Sequence, residues 1–108
     1  MPAMFVYVTA SDTAEAERIG RAAVEERLAA CANILPGMRS LYWWQGRIEE
    51  GAEAVLILKT TRKRLAALMA RVRDLHSCDC PCIEALEVAE GNPDFLAWIA
   101  RETHSVDG

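Results

Sequence analysis

The chain has 108 residues, with 12 Lys and Arg against 16 Asp and Glu and a net charge of −4, enough for one domain with its own core and too little for two. The cations are interspersed with acids and not gathered into a stripe, which argues against a nucleic-acid surface. The longest apolar runs, such as Ala54 to Leu58, fall far short of the ~20 residues a membrane helix needs, and Met1-Pro2-Ala3-Met4 shows no leader pattern, so the expectation is a soluble, cytoplasmic protein with reduced thiols.

Met4 to Ala10 is β-branched and aromatic and almost continuously apolar, the pattern of a strand buried on both faces or nearly so. Ser11 or Asp12 then offers an N-cap oxygen, with Glu15 in capping-box position after Asp12. A helix is expected from 13 to about 29, with Ala16, Ile19, Ala23 and Val24 on one face, Arg18, Arg21 and Glu25 opposite, and Gly20 on the apolar side for close approach to a sheet. A second strand starts at Cys31 and is expected to be interrupted at Pro36-Gly37. Extended chain resumes over 39–50, and Gly51 among acids marks a turn into the strand Glu53 to Thr60, giving a long hairpin with Tyr42, Trp43 and Trp44 on one arm.

Thr61 can cap a second helix, in which Leu65, Leu68, Met69, Val72, Leu75 and His76 share a face. The junction His76-Ser77-Cys78-Asp79-Cys80-Pro81-Cys82 follows, then an alternating strand from Ile83 to Val88. A last helix opens with Asn92 as N-cap and Pro93 as N1 and carries Phe95, Trp98 and Ile99 on one side, and 104–108 read as a loose tail. The order β-α-β-β-α-β plus a C-terminal helix is the α+β ferredoxin-like plan, a single domain over 1–108 with an antiparallel sheet and both main helices on one face. The other sheet face is left bare, and stacking copies is the economical way to hide it. A homo-oligomer is expected.

The junction holds one imidazole, a carboxylate and three of the four cysteines. Thiolate and imidazole suit copper and zinc, whereas calcium or magnesium would want oxygens. His76, Cys78, Cys80, Cys82 and Cys31 are therefore the candidate metal ligands. In extended chain, side chains two apart are ~6.6 Å from one another, too far to share an ion whose bonds to sulfur are about 2.3 Å; a shared site needs a curled loop or a neighbouring subunit. Each residue also has a plainer reading: His76 as a cap on helix carbonyls, and the cysteines as small packing residues. Tyr42, Trp43 and Trp44 read as oligomer interface more than as ligand pocket. Lys59, with Asp79, is the candidate for holding a ligand in an intersubunit cleft, the alternative for Lys59 being a solvated surface cation.

Arg27 to Ile34, Ser40 to Ile48, Lys59-Thr60, His76, Pro81, Gly91-Asn92 and Trp98-Ile99, in unbroken order from about residue 5 to 100, resemble the CutA divalent-cation tolerance family. The resemblance implies a ferredoxin-like protomer, a homotrimer similar in architecture to PII signalling proteins, and tolerance to divalent cations, chiefly copper, with no established catalytic reaction. The family junction usually reads His-Pro-Tyr-Glu-Val-Pro-Glu; here only His76 and Pro81 are kept, with Asp79 a shorter carboxylate, an aromatic lost at Cys78 and an acid at Cys82. The expected function is thus a non-enzymatic homotrimer in divalent metal (copper) tolerance or binding, requiring no cofactor and partnered by itself and by metal ions. The alternative is a PII-like small-ligand sensor or scaffold signalling to a partner protein. An enzyme with a Cys nucleophile and His76 as base is disfavoured, because no Gly-rich oxyanion loop or third orienting residue is evident.

Overall fold

The computed structural model describes residues 2–104. Its elements run β1 (Ala3–Ala10), α1 (Thr13–Glu25), β2 (Cys31–Trp44), β3 (Arg47–Thr61), α2 (Arg62–Leu75), β4 (Ile83–Glu87) and α3 (Pro93–Glu102). The four strands form one antiparallel sheet in the order β2-β3-β1-β4, and α1 and α2 cover one face, the ferredoxin-like α+β plan. Of the expected tail, only His104 lies within the described residues.

Period-two alternation sorts the side chains. Val6, Val8 and Ala10 of β1 and Leu56 and Leu58 of β3 meet Ala16, Ile19 and Ala23 of α1 and Leu68 and Val72 of α2, all at most 1% exposed. Each large aliphatic side chain so buried contributes about 1.5–3 kcal/mol. Phe5, Tyr7 and Thr9 point the other way and are half-buried, so β1 is fully covered on one face only, not on both. On this second face the rows Leu86-Phe5-Lys59-Cys31 and Glu84-Tyr7-Ile57-Asn33 cross all four strands. α3 crosses one end of it, where Lys59 Nζ stands 5.3 Å from the ring centroids of both Phe5 and Phe95.

Three boundaries differ from the sequence expectation. α1 ends at Glu25, not near 29. The N–H of Leu28 donates to Ala23 O at 3.0 Å and that of Arg27 to Val24 O at 3.1 Å, a Schellman cap in which Arg27 takes φ +59°. This cap is invisible in a sequence that carries Arg where Gly is usual; Arg27 is held there by its guanidinium, 3.0 Å from Glu102 Oε1. Next, β2 is not interrupted. Pro36 and Gly37 are looped out as a bulge between Leu35 and Met38, and the ladder to β3 resumes beyond them, because on an edge strand the missing proline N–H disturbs no second neighbour. Finally, the hairpin turns at Gln45-Gly46, not at Gly51. Both residues have positive φ (50° and 79°), the two-residue geometry that matches strand twist, and Gly51 pairs with Ser40 inside β3.

Gly20 does bring α1 close to the sheet. A Cβ there would stand 3.1 Å from both Ala32 Cβ and Leu56 Cδ1. Gly20→Val is therefore expected to destabilise the fold by about 1–3 kcal/mol, read as a lowered melting temperature; an unchanged one would contradict the close approach.

Candidate functional site

The junction between α2 and β4 is built around a buried carboxylate. Asp12 caps α1, accepting from the N–H of Glu15 at 2.8 Å, and Glu15 Oε1 accepts in return from the N–H of Ser11 at 2.9 Å. This reciprocal pair satisfies amides that the first helical turn cannot. Glu15 also reaches across the molecule, its Oε2 accepting from the N–H of Ser77 at 2.9 Å, 62 residues on, with Arg18 at 3.5 Å. Glu15 is only 6% exposed. Burial alone would push its carboxyl up, but the bonds from Ser11 and Ser77 outweigh that and hold it down, near 2.

His76 is the residue where α2 stops, its N–H donating to Val72 O. One ring nitrogen, Nε2, lies 2.7 Å from the carbonyl oxygen of Thr9, and the other, Nδ1, lies 3.0 Å from the backbone N of Cys78. A carbonyl only accepts and an amide N–H only donates, so Nε2 carries the proton and Nδ1 is the acceptor: a neutral imidazole with both nitrogens engaged. It can reach a cation only by giving up one of these bonds.

From Ser77 to Cys80 the backbone bends at every residue and does not run extended. As a result Cys78, Cys80 and Cys82 all line one cleft of about 650 Å³ together with His76 and Pro81. The opposite wall is the hairpin: Ser40, Tyr42, Trp44 and Glu53 face the same space, with Thr9 and Ser11 between. Cys78, Cys80 and Cys82 are all exposed, and Cys82 donates its Sγ hydrogen to Glu84 Oε1 at 3.4 Å. Burial, then the Glu84 carboxylate beside it, pushes the Cys82 thiol up. Among the described residues no three His, Cys, Asp or Glu side chains converge to hold an ion.

Other candidates lie elsewhere. Cys31, half-buried with Sγ 3.6 Å from Asn33 Oδ1, sits on the far edge strand, three strand spacings or roughly 14 Å from the line of β4. Lys59 shares the row of Cys31 and is occupied by two aromatic rings, whereas exposed Asp79 lies in the junction loop; neither lines the cleft. Trp43, on the opposite face of the hairpin from Tyr42 and Trp44, is 73% exposed. Sequence reasoning found Glu15 as a cap but missed its bond to Ser77, and it read Ser11 only as a cap candidate and Glu53 only as strand, placing neither them nor Thr9 at the cleft, since no local pattern signals a partner 62 residues away.

The Glu15 arrangement predicts a pH signature. A carboxylate held near 2, against an ordinary 4.5, stabilises the fold fully above about pH 4.5, and the contribution fades as pH falls through 2. Glu15→Gln is expected to lose about 1–3 kcal/mol at pH 7, with the gap to the unaltered protein closing as the pH approaches 2 in parallel thermal melts.

With the geometry in hand, comparison with known proteins is informative. The sequence model of the family described as CutA1 divalent ion tolerance protein matches residues 4–102. A divalent-cation tolerance protein CutA from Thermus thermophilus is 45% identical over 98 residues, covering 91% of this chain and 95% of its own. The solved structure of a Thermus thermophilus divalent cation tolerance protein superposes with a TM-score of 0.91 at 43% identity, over 94% of this chain and 99% of the other. A chloroplastic CutA 1 protein of Oryza sativa is 39% identical over 103 residues, 95% of this chain, and this chain spans 58% of that relative's length. The solved Oryza sativa CutA1 has a TM-score of 0.93 at 38% identity, over 96% of this chain and 95% of that one. The relatives are named for cation tolerance and not for a catalysed reaction. On the length of the match, its identity and the shared fold, this chain belongs to the CutA1 divalent ion tolerance family.

Proposed function

We propose that this protein acts in divalent-cation tolerance as a non-enzymatic homotrimer that binds copper or a related divalent ion in the cytoplasm. The observation that carries the reading is the apolar surface left bare on the protomer. Leu41, Trp43 and Ile48 on one side of the hairpin are 70%, 73% and 62% exposed, Tyr42 and Trp44 on the other are exposed too, and the second sheet face adds Leu35 and Leu86. The hairpin stretches the protomer to 47 Å against 27 and 21 Å in the other directions. An apolar ribbon of this kind is stable in water only when covered, and further copies of the chain supply matching sheet faces and hairpins at no other cost in design.

The site chemistry supports a metal role. Three thiols gathered on one cleft are soft donors suited to copper, and four free cysteines fit a reducing compartment. Among the described residues no helix is long and apolar enough to cross a membrane. A second reading, a PII-like sensor of a small molecule, is favoured by the cleft's size, since about 650 Å³ lies within the range of ligand pockets.

Light scattering at micromolar concentration is expected to give about 36 kDa, three times the 11.9 kDa chain; about 12 kDa would refute the assembly. Trp43→Ala is expected to weaken association by about 2 kcal/mol or more, with monomer appearing on dilution. A melting temperature unmoved by Cu(II), Zn(II) or Ni(II) would count against metal binding.

A further inference from the structure

We propose that Cys78 and Cys80 form a redox-active dithiol that reacts with small neutral or cationic disulfides and closes reversibly into a Cys78–Cys80 disulfide. The proposal goes beyond cation tolerance and needs no bound ion. Three observations carry it.

The first is the shape of the loop. A disulfide requires Cα atoms about 4.4–6.8 Å apart, and residues two apart on extended chain stand at ~6.6 Å, near the outer limit. The backbone bends at each of residues 77 to 80. A chain that turns in this way is shorter end to end than an extended one, which brings Cys78 and Cys80 inside the range. Beyond Cys80 the bends stop, because Pro81 fixes its own φ and drives the residue before it toward extended chain. Cys80 and Cys82 are thereby held further apart.

The second is how each thiol is held. Cys82 sits at the entry to β4, where its carbonyl accepts from the N–H of Thr9 at 3.3 Å and its Sγ hydrogen donates to Glu84 Oε1 at 3.4 Å, so backbone and side chain are both committed. Cys31 is half-buried beside Asn33 on the far edge strand. Cys78 and Cys80 are exposed, both line the cleft, and among the described residues neither Sγ takes part in a hydrogen bond. The bonds from the Ser77 N–H to Glu15 and from the Cys78 N–H to His76 Nδ1 pin the start of the loop, so the two free thiols are presented together.

The third is the size and charge of the cleft. A volume of about 650 Å³ admits a small molecule. Among the described residues Glu53 is the one carboxylate lining it and no Lys or Arg does, while exposed Asp79 stands between the two cysteines. An anionic disulfide is repelled there and a cationic one drawn in.

The chemistry is two successive exchanges. One cysteine thiolate attacks a sulfur of the small disulfide RSSR, a protein–S–S–R bond forms and RS⁻ leaves. The second thiolate attacks the protein sulfur of that bond, the Cys78–Cys80 bond forms and a second RS⁻ leaves. Each RS⁻ takes up a proton given up by a cysteine, so the protein loses two electrons and two protons and RSSR becomes two RSH. A ring closed over a single intervening residue constrains the unfolded chain little, and in an exposed loop excess thiol runs the same steps backward.

The full chain, reduced and freed of metal by a chelator, is treated near neutral pH with excess cystamine, quenched in acid and analysed by intact mass and peptide mapping. The expected product has lost two hydrogens, links Cys78 to Cys80 and keeps Cys31 and Cys82 reduced, and dithiothreitol restores the starting mass. Cys78→Ser and Cys80→Ser are each expected to stop at a mixed disulfide with one cysteamine, whereas Cys82→Ser closes the ring as the unaltered chain does. Normalised to a small model thiol, the reaction at low ionic strength is expected to run about 10-fold faster with cystamine than with anionic glutathione disulfide, the gap narrowing as salt is added. A mixed disulfide as the end product of the unaltered chain, ring closure that survives Cys78→Ser or Cys80→Ser, or a disulfide joining two chains overturns the assignment. Normalised rates that are equal for the two disulfides overturn the charge preference. Thermal melts of each variant check that the fold is kept.

Discussion

The junction has its shape because one buried carboxylate, Glu15, accepts from Ser11 just before its own helix and from Ser77 just past the end of the other. An ionised group so enclosed is tolerable only when its lone pairs are met, and once met it becomes hard to move. It therefore fixes the distance between the start of α1 and the end of α2, and with it the point from which the cysteine loop departs. His76 continues the same logic by bonding to Thr9 of β1 on one side and to Cys78 on the other. A sheet strand, both helices and the loop meet through two side chains.

The second constraint is what the fold leaves uncovered. Placing α1 and α2 on one face satisfies the alternation of β1 and β3, but the same alternation sends Phe5, Tyr7 and Ile57 to the other face, where, among the described residues, α3 gives partial cover. The hairpin worsens the imbalance by carrying apolar residues on both of its faces. Cleft and bare surface are continuous, since Tyr42 and Trp44 belong to both.

The elements themselves were largely legible because their signals are local. A β-branched and aromatic apolar run identified β1 and alternation identified β4, the period of α2 from Leu65 to Leu75 identified its buried face, and Asp12 with Glu15 and Asn92 with Pro93 announced helix starts that the structure places at those positions. The misreadings share a cause: at each, a residue's usual signal was overridden by tertiary context. Arg27 holds a left-handed cap that glycine usually fills, Pro36 is absorbed by a bulge on an edge strand, and Gly51 sits inside a ladder while Gln45-Gly46 makes the turn.

For the site, the sequence by itself determined the chemistry: one imidazole and three thiols within seven residues at a helix end, together with an aromatic hairpin and a sheet one face short of cover. Only the tertiary structure decided how those groups are used. Whether alternating thiols can share a cleft depends on backbone bending imposed by hydrogen bonds from Glu15 and His76, and whether an imidazole has a free lone pair depends on which carbonyl lies 2.7 Å away. Cys31 and Lys59 lie outside the cleft because they share the row of Phe5, four residues along β1 from the Thr9 that lines it. Residue type is written in the chain, whereas the distance and orientation between groups 62 residues apart exist only after it has folded.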